Sequence, residues 1–196
     1  PTAEAIAHFF NAGQVWVGRL DEAQRHADAC RVLGERTRSP YGMASAASAQ
    51  AMIAITRGDW DEALATIEWG LQAGRPDERL LMHAATVFYI RGQGEVARSY
   101  QQRLAEQVLS TPPGPTVEYS MLAILAGIAA RLTGGESDVS LQKRAAQAVV
   151  ASPVPASAMF KAQVDSSSAM VAHLTKDQEA AAELLQVFEA QETYAI

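Results

Sequence analysis

Four histidines, His8, His26, His83 and His173, and one cysteine, Cys30, are the side chains of this chain best suited to metal or nucleophilic chemistry. No two histidines keep the H-x-x-x-H or H-E-x-x-H spacing that turns two imidazoles toward a zinc ion from one helix. His26 and Cys30 are four residues apart, one helical turn, and so share a face from which both could donate to one ion. A third and a fourth ligand are missing from the pattern, and a cysteine in an alanine-rich segment packs as a small hydrophobe. The spacing therefore predicts no metal site and no cofactor. "VDSSSAM" sets Asp165 beside three serines without the G-x-S-x-G elbow that exposes a catalytic serine. "TGGES", around Gly134, lacks the G-K-[ST] ending that holds phosphate and magnesium, and reads as a turn. The carboxylate pairs Asp21 with Glu22, Asp61 with Glu62 and Asp77 with Glu78 fall at expected helix starts, where the helix dipole accounts for them. No residue is assigned a catalytic role, and the expectation is a protein that is not an enzyme.

The elements that carry these residues follow from a phrase written three times: "GRLDEA" (18–23), "GDWDEA" (58–63) and "GQGEVA" (92–97), with looser echoes at Gly134 and at Lys176. Each phrase follows an apolar or alanine-rich run and precedes a second helix-forming run, which makes the unit a helix, a tight turn and a helix. A spacing of 34 to 42 residues between phrases signals stacked supersecondary units. Glycine at the head of the phrase can take the left-handed conformation that ends a helix, and Arg57 and Arg91 suit the negative end of that helix. Asp59 is placed to cap the next helix, with Glu62 reaching back as its capping-box partner. Ala23, Ala63 and Ala97 fall one turn inside the second helix, where a small side chain lets two axes approach, with Leu20 and Trp60 beneath the turn. Prolines 40, 76, 112, 113, 115, 153 and 155 fall between units and stop helices there. With 48% hydrophobic residues, much of that alanine, and only 7% aromatic, the composition favours helices over sheet. The expectation is one all-α domain over 1–196, built from five hairpins at about 1–38, 39–75, 76–111, 112–152 and 153–196.

The chain resembles the tetratricopeptide repeat family through Gly58, Trp60, Ala63 and Pro76, near that pattern's glycine, aromatic, alanine and proline. Ala84, Ala85, Phe88 and Gly127 stand near its first-helix small and aromatic positions. Hairpin one has a shortened first helix or turn, hairpin four calls for inserted residues after Gly134, and hairpin five has Lys176 in place of glycine. The resemblance implies a right-handed superhelical solenoid whose first helices line a concave groove. Its uneven units look most like the repeat arms of large bacterial regulators of the MalT and LuxR type and of cyclase-linked regulators. On that register Arg79, Met82, Thr86 and Tyr89 of hairpin three and Arg131 of hairpin four face the groove, beside Met52 and Ile55, which also suit the core. Arg79 and Tyr89 are the strongest of these, since aromatic and guanidinium groups dominate peptide-binding hot spots.

Net charge is −6 and the basic residues are scattered, which argues against direct nucleic-acid contact. No apolar run reaches the ~20 residues of a membrane span, and no signal-peptide layout opens the chain. A single cysteine fits a reducing compartment, so a cytoplasmic location is expected. The start at Pro1 and the end at "ETYAI" read as a piece of a longer protein, whose cut ends "HFF" and "ELLQVF" would leave apolar surface for a homodimer. The function expected is a scaffold for a protein or peptide partner, or for another domain of its parent chain, in a signalling or transcriptional regulator. The alternative is a small-molecule effector-sensing domain of such a regulator.

Overall fold

Alanine, leucine and glutamine fill the long segments, and long segments of good helix formers fold as helices wherever one face can be buried. The computed structural model describes residues 2–73, 77–110, 117–153, 158–179 and 182, and these are helical apart from the turns. The α-helices are α1 (Thr2–Asn11), α2 (Leu20–Thr37), α3 (Pro40–Arg57), α4 (Trp60–Gln72), α5 (Glu78–Ile90), α6 (Gly94–Leu109), α7 (Val117–Thr133), α8 (Glu136–Ala151) and α9 (Ala158–Leu174). A 3-10 helix over Ala12–Val17 prolongs α1 up to the turn at Gly18. The fold is all-α among the described residues, and none of these helices is long and apolar enough to cross a membrane. Pro76, Pro112, Pro113, Pro115, Pro155 and the "ELLQVF" run lie outside the described residues.

The turn phrase does what its glycine implies. Gly18, Gly58, Gly92 and Gly134 all take positive φ, and Lys176 takes it too, at 57°. At Gly58 the N–H donates to the Ile55 carbonyl and the N–H of Asp59 to the Ala54 carbonyl, the paired bonds that close a helix C-terminus. The same pair recurs at Gly18, Gly92 and Lys176. Gly134 makes a single bond to Ala130, and α8 starts two residues later, so the insertion expected in hairpin four is absent. Asp59 is also corrected: it occupies the N-cap position of α4, but its side chain makes no capping hydrogen bond, because its ψ of 69° is not the extended cap conformation.

The chain falls into two compact units, Pro1–Ala97 and Arg98–Ile196. In the first, α3 packs against α1, α2, α4 and α5, so α1, α3 and α5 form a row backed by α2 and α4. Helix α3 has its one charged residue, Arg57, at its end and is buried on almost every side, as an apolar helix must be. Its small residues set the spacing. A Cβ on Gly34 of α2 would stand 2.9 Å from the backbone of Gly42 and Met43, and one on Gly70 of α4 would strike Ala47. Ala23 and Ala63 are fully buried as expected, and Trp60 packs with Ala54, Ala63 and Val87. In the second unit α7 has the part of α3: it packs against α8 and α9 and buries ten of its residues. There Gly127 lets Ser167 of α9 approach closely enough to donate to the Ala123 carbonyl at 3.0 Å.

Candidate functional site

The row of α1, α3 and α5 converges on one guanidinium. Asp77 caps α5, accepting from the backbone N–H of Arg79 at 3.0 Å, and its carboxylate also receives Nε and Nη2 of the Arg79 side chain at 2.9 and 2.6 Å. Nη2 reaches Ser45 of α3 at 3.3 Å, while the guanidinium carbon lies 4.5 Å from the Phe9 ring centroid on α1 and 5.5 Å from that of Tyr41 on α3. Burial opposes the charge of Arg79, but its hydrogen bonds to Asp77 and that carboxylate's charge more than offset it and hold the side chain firmly ionised. A bidentate fork stacked on aromatic rings is a geometry that lysine could not reproduce.

One helical turn along α5, His83 Nε2 lies 3.2 Å from Ser48 Oγ on α3. Burial, helped by the positive charge of Arg79, pushes the His83 pKa down to about 4. The pair has the residue types of a nucleophile and its base, but the serine is only 3% exposed and the imidazole has lost most of its basicity. It is better suited to joining α3 to α5 than to reacting. Cys30 lies beneath the same row, its Sγ donating toward the carbonyl oxygens of Ala5 at 3.4 Å and Gly42 at 3.9 Å. Burial raises its pKa against the pull of Arg79, so it stays a thiol.

The other residues singled out by sequence are dispersed. Tyr89 is corrected: it is 5% exposed and faces the core instead of a groove. Met82 and Thr86 are half-buried, and the Thr86 hydroxyl donates to the Met82 carbonyl of its own helix at 2.8 Å. Met52 and Ile55 pack against core clusters. Arg131 is exposed at the end of α7, in the second unit. His26 and Cys30 do not converge, since His26 meets His8 instead, Nδ1 to Nδ1 at 2.9 Å. Of the "DSSS" run, Asp165 pairs with Lys161 at 2.6 Å, Ser167 supports Gly127, and Ser168 accepts from Gln142 at 2.9 Å.

Sequence reasoning missed the partners of Arg79. The available signal was the matched spacing of Ser45 and Ser48 on one helix with Arg79 and His83 on another, which repeats a polar contact at one-turn intervals. It also missed Asp138, a buried carboxylate that accepts from Arg98 at 3.2 and 3.3 Å, Gln101 at 2.9 Å and Thr133 at 3.0 Å. An open cavity of about 440 Å³ is lined by Gly58, Asp59, Trp60, Asp61, Glu62 and Arg91, with Arg91 bonded to Asp61 at 2.6 Å. No family model, curated protein or solved structure matches the chain.

Proposed function

We propose that this chain is a helical-repeat scaffold of the tetratricopeptide kind that holds a protein or peptide partner on the face formed by its first helices. The observation that carries the reading is the Arg79 cluster. A guanidinium fixed by Asp77 and Ser45, its side chain only 17% exposed, braces Phe9 and the exposed Tyr41 as a preorganised aromatic patch drawn from three helices, and such patches favour binding because little side-chain entropy is left to lose. The left-handed turn recurring from Gly18 to Lys176 supports stacking of the hairpins as a solenoid. Half of the Tyr41 side chain stays open to a partner. The wider setting we propose is the regulatory arm of a bacterial signalling or transcriptional regulator, in the cytoplasm, where the partner is a separate protein or a neighbouring domain of the parent chain.

A photo-crosslinking phenylalanine analogue at Tyr41 tests this, with the same analogue at Val150, an exposed position on α8, as control. A discrete protein adduct at Tyr41 and none at Val150 is the expected result; equal yields at both, or none at Tyr41, would remove this face from consideration. A small-molecule effector is the second reading, favoured by the 440 Å³ cavity beside Trp60 and Arg91, whose volume lies in the range of ligand sites. In that case a metabolite raises the melting temperature saturably, and Arg91→Ala abolishes the rise.

A further inference from the structure

We infer that His8 and His26 form an acid-sensitive clasp that holds α1 on α2 and thereby keeps Phe9 against Arg79. The two Nδ1 atoms face each other at 2.9 Å, with ring centroids 5.2 Å apart and ring planes tilted by 42°. At that distance one proton makes the bond: one Nδ1 donates it, and the other accepts while its own ring is protonated on Nε2. One added proton goes to the free Nε2 of the donating ring and leaves the contact in place as a charge-assisted bond. A second must go to the accepting Nδ1, the atom that the bond already occupies. Two N–H groups would then point at each other with their hydrogens about 1 Å apart, and two imidazolium charges would meet with them.

The docked pair therefore admits one added proton and the separated rings two, so acid draws the helices apart. An ordinary imidazole takes its proton near pH 6.5, and below about pH 5.5 separated rings carry both. Both histidines are half-buried, within reach of solvent protons. The charges on the surrounding elements do not cancel the second proton. Glu4 stands one turn before His8 on α1, and Glu22, one turn before His26 on α2, is paired with Arg19 at 3.7 Å. Arg25 is exposed beside His26, α3 offers only Arg57, which bonds Gln24 at 3.2 Å, and the 3-10 helix has no charge. Among the described residues no Asp, Glu or Cys joins the two rings in one cluster.

Helix α1 is the element such a clasp can release. It has ten residues, too few to hold a helix alone in water, and it packs on α2, α3 and the 3-10 helix that follows it. Its part in the Arg79 cluster is Phe9, next in sequence to His8, with the Arg79 guanidinium carbon 4.5 Å from its ring centroid. Opening the clasp withdraws Phe9, while Asp77 and Ser45 still hold Arg79. One consequence, that acid weakens the hold on a partner seated over Phe9 and Tyr41, rests on the function proposed above; the clasp itself does not.

Amide exchange of the full chain at pH 6.5 and pH 5, expressed as protection factors to remove the intrinsic effect of pH, tests the clasp. Protection of α1 should fall about tenfold between the two, while α4, which has no histidine, keeps its own. His26→Gln sets a carbonyl opposite His8 that accepts from the ring whether or not it is charged, and His8→Gln does the same for His26. Each should flatten the fall to less than about twofold, whatever it does to protection at pH 6.5, and His83→Gln should leave the fall in place. No fall in the unaltered chain, an equal fall in α4, or a fall that persists in both His8→Gln and His26→Gln overturns the inference. These readings need no partner, so absence of the Tyr41 adduct at neutral pH would count against the partner face alone.

Discussion

The second helices of the two units bury stripes of the same spacing with different chemistry. In the first unit the stripe runs through Ala23, Ala27, Cys30 and Gly34 on α2 and through Ala63, Ile67 and Gly70 on α4. In the second unit the same steps are taken by Gln101 and Leu104 on α6 and by Asp138, Gln142, Ala145 and Val149 on α8, the α8 residues standing one position nearer their turn glycine. Small apolar residues specify a helix pair by shape: the axes approach until backbone meets backbone, as at Gly34 and Gly42. Buried polar residues specify it by direction, since each must find its partners or leave a desolvated group unmet. Asp138 does so fully, with Arg98, Gln101 and Thr133 around it, and thereby ties α6 and the end of α7 to the start of α8.

The largest effect should come from breaking the directional side. Asp138→Ala leaves Arg98, Gln101 and Thr133 without their shared acceptor, and should destabilise the second unit by about 3 kcal/mol, allowing for the one-third exposure of Arg98. Denaturant unfolding measures this. The comparison fails if the variant loses less than Ala63→Leu, an overpacking change on the first unit's stripe expected to lose about 1 to 3 kcal/mol.

Acid should act in the opposite sense and loosen the first unit. His83 is held neutral, with its pKa near 4 against about 6.5 in an unfolded chain, so between those values the unfolded chain binds more protons. Its contribution is complete above pH 6.5 and is lost as pH falls through 4, a change of up to about 3 kcal/mol. The second unit's described histidine, His173, is exposed and has no such burial. Amide exchange followed from pH 7 to 4 should therefore show α3 and α5 opening, with the slope reduced in His83→Gln. An unchanged slope would mean that Ser48 and His83 do not couple these helices.

The smallest effect sharpens the comparison of turns. Lys176 holds the left-handed conformation that glycine holds at the other four. Lys176→Gly should stabilise the chain by about 0.5 to 1 kcal/mol, the strain of a side chain at positive φ less the entropy of glycine. Thermal unfolding would show it, and a loss of stability would mean that the lysine makes a compensating contact.

Turns and helices were legible in the sequence because their causes are local. The glycine phrase located Gly18, Gly58, Gly92 and Gly134, and its loose echo located Lys176, since a helix end followed at once by another helix needs one left-handed residue whatever packs around it. Alanine at Ala23, Ala63 and Ala97 announced buried positions for the same reason. The face was harder to read. Tyr89 and Arg79 lie on one short helix and looked equally available, yet Tyr89 is turned into the core and Arg79 is held by a carboxylate and two rings from other helices.

What the sequence by itself determined is thus the all-α class, the places where the chain reverses, and the small residues that let helices approach. The tertiary structure alone decided which polar groups meet: Arg79 with Ser45, His83 with Ser48, His8 with His26, and Asp138 with Arg98 and Gln101. The residues of each pair stand 18 to 40 positions apart in the chain. A hydrogen bond depends on fractions of an ångström and on angle, and those are set only when the helices that carry its two ends have packed.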